Sequence, residues 1–174
     1  MKKLFLITIL AIVFLNGQSK DWVNINSAQP VSADITLFSS QITQSTIQFN
    51  LDGFWQDIVQ TERGEAWLVS VENGAPSISL GAPDLSVFSS SIVVPDMAHM
   101  KVNLLSSNYI EYHNVLLAPS KGNLTRDIDP ATVPFEFGSV YEVDDFFPDE
   151  LAKLNEPYII RDVRGQAIHF QPFQ

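Results

Sequence analysis

Apolar residues recur at every second position along much of this chain, and that spacing commits the backbone to strands. Val31, Ala33, Ile35 and Leu37 alternate with Ser32, Asp34, Thr36 and Phe38, and Ile47, Phe49 and Leu51 alternate with Gln48, Asn50 and Asp52. Trp67, Val69 and Val71 form a third face, and Met100, Val102 and Leu104 a fourth. Tyr109 to Leu117, Tyr158 to Val163 and Gln166 to Gln171 complete the set of seven segments. Side chains at i, i+2 and i+4 share one side of a strand, so each segment covers half a core. Turn signals separate them at Asp52-Gly53, Arg63-Gly64, Glu72-Asn73-Gly74, Gly81-Ala82-Pro83 and Arg164-Gly165. Helical spacing is confined to Pro148–Leu154, where Pro148 suits a first helical position and Asp149-Glu150 suit its positive end. The pattern predicts an all-β fold, an antiparallel β-sandwich with at most one or two short helices.

A chain of 174 residues accommodates one domain with a real core. Hydrophobic residues make up 45% and charged residues 17%, which argues against disorder. There is no cysteine, so disulfides, thiolate metal sites and a cysteine nucleophile are all excluded. Twenty acidic residues face ten basic ones, a formal charge of −10. That field repels a phosphate backbone and argues against nucleic acid as a partner. It suits a basic partner surface or enzyme cleft, and equally the solubility of an exported protein.

Lys2 and Lys3 precede an apolar run from Leu4 to Leu15 that only Thr8 interrupts, and Asn16-Gly17-Gln18-Ser19 follows. A charged start, a short apolar centre and a small-x-small exit predict a secretory signal peptide over residues 1–19, cleaved after Gly17 or Ser19. Twelve helical residues rise only about 18 Å, short of a ~30 Å hydrocarbon layer. No later segment is apolar enough to cross a membrane, so the mature domain, residues 20–174, is expected to be free of it. Its formal charge is −12 once Lys2 and Lys3 are gone.

Familiar catalytic and metal patterns are missing. His99, His113 and His169 lie far apart in sequence, without the paired spacing of a zinc site. Asp127-Ile128-Asp129 and Asp144-Asp145 lack the further oxygen ligands of a calcium loop. The serines at Ser39-Ser40, Ser89-Ser90-Ser91 and Ser106-Ser107 sit in no Gly-x-Ser-x-Gly elbow. No metal or cofactor is therefore expected. Trp22, Trp55 and Trp67 suit a sandwich core or a sugar-stacking platform, and the core reading is preferred.

A proline-punctuated series of strand-like pieces runs from Gly81 onward. It reads Gly81-Ala82-Pro83-Asp84-Leu85, Ile92-Val93-Val94-Pro95, Leu117-Ala118-Pro119-Ser120-Lys121-Gly122 and Pro134-Phe135-Glu136-Phe137. Tyr141 to Pro148, Tyr158 to Arg164 and Gln166 to Pro172 follow. The order and spacing resemble the N-terminal propeptide of gingipain-type cysteine peptidases, caspase-like secreted bacterial enzymes. The resemblance covers roughly Trp22 to Gln174, and departs from the family pattern at Ser86, where a proline commonly follows Gly-x-Pro-x-Leu.

This resemblance implies a domain that inhibits a peptidase and helps it fold without being one. The implied partner is a gingipain-type catalytic domain, absent from this chain, and the chain is expected to be a prodomain separated from its enzyme or shortened by truncation. The implied route is export through the inner membrane, through the periplasm, to secretion or the cell surface. Such propeptides block enzymes that cleave after arginine or lysine by offering a basic side chain from a loop. The long stretch from Ser120 to Val140 holds two basic residues, Lys121 and Arg126, flanked by Asp127 and Asp129. Arg126 is preferred because its planar head grips a carboxylate at two points, and Lys121 stays open. Arg161 and Arg164 fall in what the resemblance makes the last hairpin. An exported β-sandwich binding module for carbohydrate or a cell-surface protein is the alternative reading.

Overall fold

The computed structural model of the protein describes residues 20–174. The expected signal peptide lies outside the described residues. Nine strands form three antiparallel sheets, and the only helical pieces among the described residues are two short 3₁₀ turns, Pro130–Thr132 and Ser139–Glu142. The all-β, antiparallel expectation is met.

The first sheet places β4 (Gly53–Thr61) between β1 (Asp21–Asn24) and β5 (Gly64–Ser70). Thr61 pairs with Gly64 across a turn at Glu62-Arg63, and Gly64 takes φ +108°, which glycine adopts without strain. The second sheet is the hairpin of β2 (Asp34–Ser40) and β3 (Ser45–Asn50). Its register shifts between Leu37 and Ser39, leaving Phe38 as a bulged, exposed residue. Asp52 turns the chain from β3 into β4, its carbonyl accepting from the amides of Ile25, Asn26 and Ser27 at 2.9–3.1 Å.

The third sheet is built around β9 (Val163–Phe170). One edge pairs with β6 (Phe88–Val93) and the other is divided between β8 (Tyr158–Ile160) and β7 (Ala152–Leu154). Asn155, Glu156 and Pro157 bridge the two pieces opposite Gln166 and Ala167. Gln166 is a buried polar side chain on the inner face, satisfied by donating from Nε2 to the Asn155 carbonyl at 2.7 Å.

Alternation supplies the core. Phe54, Val69, Val71, Phe88, Ile168 and Phe170 are buried together, with Ile35, Ile47 and Phe49 of the hairpin packed against them. Phe49 lies 5.1 Å from Phe88 and 5.5 Å from Phe170 between ring centroids. Burial of each such ring contributes about 1.5–3 kcal/mol, so the two-stranded hairpin is held to the body by side chains, not by main-chain bonds.

Three local expectations are corrected. Pro148–Leu154 is not helical. Ala152–Leu154 instead pairs with Ile168–Phe170, and burying Leu154 on that sheet outweighs a seven-residue helix that cannot repay its own nucleation. Met100–Leu104 and Tyr109–Leu117 form no strands, because no sheet edge among the described residues pairs with them beyond an isolated bridge at Leu117. Alternation suits a strand but does not provide its partner. Finally, the last hairpin turns at Arg161-Asp162, with Arg161 at φ +56°, and Arg164-Gly165 lies inside β9. Gly165 is required there for a different reason: a Cβ would meet the Tyr158 ring at 2.9 Å.

Candidate functional site: a braced loop with Arg126 at its tip

The free edge of β5 continues into the candidate site. Trp67 donates its amide to the Leu116 carbonyl at 2.7 Å and accepts from the Ala118 amide at 2.8 Å. The other edge of this short segment pairs with residues 81–84: Ser120 donates to the Ala82 carbonyl at 2.7 Å and Asp84 to the Ala118 carbonyl at 2.9 Å. Ala118, Pro119 and Ser120 are almost fully buried. The Ser120 hydroxyl donates to the Ser77 carbonyl and accepts from the Gly122 amide, so the stem ends in a fixed geometry.

Gly81 holds both stems of the loop that follows. Its amide donates to the Ser120 carbonyl at 3.0 Å and its carbonyl accepts from the Gly138 amide at 2.8 Å. The chain between Ser120 and Gly138 is thereby closed at its base into a compact loop, the form in which surface segments of this length stay ordered. Nearby, the Tyr141 hydroxyl donates to the Leu117 carbonyl at 3.0 Å. Burial pushes that phenol above its ordinary value, with a small opposing effect from Arg63. Arg63, at the tip of the β4–β5 turn, pairs with Glu142 at 2.6 Å and lies 4.5 Å from the Phe137 ring centre.

Lys121 and Arg126 have different fates within this loop. The Lys121 ammonium donates to the Pro130 carbonyl at 2.7 Å and sits 4.0 Å from the centre of the Phe135 ring. It braces the loop internally, where cation and ring attract through the ring's quadrupole. Arg126 occupies a central position of a turn closed by the Ile128 amide on the Thr125 carbonyl at 3.1 Å. Its side chain is exposed and makes no hydrogen bond or ion pair among the described residues. Asp129 caps the next turn by accepting from the Ala131 amide at 2.9 Å. The Asp127 carboxyl is held below its ordinary value by a hydrogen bond from the Thr125 side chain and by its own backbone amide. The turn therefore presents an unpaired guanidinium next in sequence to a carboxyl whose proton affinity is lowered by local hydrogen bonds.

Sequence reasoning singled out Lys121 and Arg126 as candidates but not the residues that brace the loop. Phe135, Gly138 and Arg63 are separated from their partners by 14 to 79 residues, and no short-range pattern joins them. Gly81 alone carried a signal, as part of a glycine-proline turn. Among the described residues no cluster of three or more metal-ligating side chains occurs. His169 hydrogen-bonds Asn155 at 2.8 Å, and His113 lies 3.7 Å from Glu111. The three tryptophans are half-buried. Trp22 meets Trp55 edge-on at 5.4 Å, and Trp67 meets Tyr112 at 5.9 Å.

An antiparallel all-β body thus carries a braced loop with one exposed, unpaired basic residue. The chain belongs to the Propeptide_C25 family, whose model matches residues 26–174. It is 41% identical over 138 residues to Gingipain R1 of Porphyromonas gingivalis, covering 79% of this chain and 14% of that protein. Gingipain R2 of the same organism is 38% identical over 151 residues, covering 84% of this chain and 20% of that protein. The chain thus spans a fifth or less of the length of these relatives. The solved complex of the pro- and mature domains of Porphyromonas gingivalis RgpB matches with a TM-score of 0.76 at 39% identity, over 79% of this chain and 72% of that one. A structure bearing on the zymogenic latency of gingipain K matches with a TM-score of 0.66 at 22% identity, over 88% and 86% of the two chains, and this likeness is one of fold. The domain is the propeptide of a cysteine peptidase of the gingipain type.

Proposed function

We propose that this domain binds the catalytic domain of a gingipain-type cysteine peptidase, keeps it latent during export and assists its folding. The observation that carries the reading is the likeness, at 39% identity, to a prodomain solved together with its mature domain. In this reading the loop between Ser120 and Val140 covers the substrate cleft and Arg126 enters the specificity pocket. Its exposed position on a turn and its lack of an internal partner support that choice. Lys121 serves as the brace that keeps the loop in shape. The three sheets close as a sandwich around the ring cluster of Phe49, Phe88 and Phe170, a rigid platform for such a loop. Residues 1–19 act as the export signal, and the mature domain passes through the periplasm with its enzyme to secretion or the cell surface.

A single anchoring arginine contributes ~2–4 kcal/mol as a hot spot, so Arg126→Ala should weaken inhibition by roughly 30- to 1000-fold. The test is titration of the purified mature domain against its cognate mature peptidase. Wild-type domain that leaves activity untouched at micromolar concentration refutes the inhibitor. Unchanged potency of Arg126→Ala refutes the choice of residue alone.

A further inference from the structure

Between Ala98 and Tyr112 the chain forms a ribbon that is tied at both ends and, among the described residues, makes no main-chain hydrogen bond between them. At one end the Arg164 guanidinium donates to the carbonyls of Pro95, Asp96 and Ala98 at 2.7–3.1 Å. At the other, the Tyr112 ring packs edge-on against Phe54 and Trp67, and Leu116–Ala118 joins the edge of β5. From His99 to Tyr112 no backbone amide or carbonyl is hydrogen-bonded among the described residues. Every residue from Lys101 to Asn114 is exposed.

The composition does not suit a solvated loop. Leu104 is 60% exposed, Leu105 75%, Tyr109 80% and Ile110 56%. Val102 and Leu104 line a cavity of about 340 Å³ together with Asp149–Ala152 and Gln174. The alternation of Met100, Val102 and Leu104, and of the run from Tyr109, is that of a strand, yet no described strand pairs with residues 100–112. Large apolar side chains, free main-chain groups and strand periodicity together describe a segment that adds to another protein's sheet.

We infer that residues 100–112 form an interface strand that pairs, main chain to main chain, with an exposed sheet edge of the partner peptidase. This rests on the function proposed above. Two observations select that occupant. The ribbon runs through the buried stem at Leu117–Ser120 directly into the loop that bears Arg126, so ribbon and loop are positioned by one ladder. A second copy of this domain is disfavoured by charge, since the mature chain carries 20 acidic against 8 basic residues and repels its like.

Ser106→Pro and Ser107→Pro test the pairing directly. Neither amide is bonded in the free domain, so both variants should fold with unchanged melting temperature. Adjacent amides of a strand point to opposite edges, so pairing along one edge predicts an asymmetric result. One proline should weaken binding to the mature peptidase by about tenfold or more, and the other much less. In the complex, amides within residues 100–112 should exchange with solvent at least about tenfold more slowly than in the free domain. Wild-type binding that both prolines leave intact, or unchanged exchange in the complex, overturns the strand while leaving the inhibitor standing. Protection that grows with the concentration of the free domain assigns the ribbon to a second copy and overturns it as well. A wild-type domain that does not bind overturns both readings.

Discussion

Gly81 and Gly138 meet backbone to backbone, the Gly138 amide donating to the Gly81 carbonyl at 2.8 Å. A Cβ on Gly138 would lie 2.9 Å from the Gly81 carbonyl oxygen, and one on Gly81 would lie 3.0 Å from the Gly138 nitrogen. Gly81 also takes φ +76°, so a side chain there is strained as well as crowded. Each alanine substitution should cost about 1–3 kcal/mol in urea unfolding. Both act on one contact, so the double variant should cost clearly less than the sum of the singles. Additive costs would show that the two glycines act independently.

Lys121 and Arg126 should separate under mutation. Lys121→Met keeps the aliphatic stem but loses the bond to the Pro130 carbonyl and the charge over Phe135. A solvent-exposed brace of this kind contributes about 0.5–1 kcal/mol, so global stability should change little. Limited proteolysis within residues 122–134 should accelerate, and inhibition should fall less than for Arg126→Ala. Equal losses of inhibition would assign Lys121 a direct role at the pocket.

Gly53 lies beneath the Trp22 ring. A Cβ there would sit 2.6 Å from Trp22 Cε2 and 2.7 Å from the Val23 carbonyl oxygen. Gly53→Ala should therefore displace β1 from β4 at a cost of about 1–3 kcal/mol. Tryptophan emission should shift to the red as Trp22 loses its edge contact with Trp55. An unshifted spectrum with wild-type stability would mean that β1 is not held by this contact.

Burial raises the Asp84 carboxyl above its ordinary value of 3.8, partly offset by a hydrogen bond from the Ser77 amide at 3.1 Å. The native state thus holds the proton to higher pH than the unfolded chain does. The stability that this group contributes is full below pH 3.8 and is lost as pH rises through the raised native value. Asp84→Asn keeps an oxygen for Ser77 and removes the ionisation. It should be more stable than wild type at neutral pH, and the advantage should vanish below pH 3.8. Urea titrations at pH 3 and pH 7 check the sign. An advantage that persists unchanged at the acidic end would place its origin outside this titration.

Alternation made the strands β5 and β9 legible, because each has a buried face, and the hairpin of β2 and β3, because Ile35, Ile47 and Phe49 pack against the core. It passed over β4, whose outward residues include the exposed apolar Ile58, and β7, whose three residues are too short to show a period. It placed strands at residues 100–104 and 109–117, where the side chains fit and the pairing edge is lacking. The candidate site was half legible. A lone basic residue between glycine and proline stands out in sequence, whereas the cation–ring brace and the glycine clamp join residues that only folding brings together.

β9 is the last strand among the described residues, and β6, β7 and β8 all pair with it. A ribosome makes the chain from its other end. Phe88 must therefore wait some eighty residues for Phe170, and until then three strands have no lattice to join. Non-local pairing of this kind is slow to form and leaves apolar edges open in the interval. Completion of the third sheet thus waits on the arrival of a single eight-residue segment, and a nascent chain that stops before it carries three strands with nothing to join.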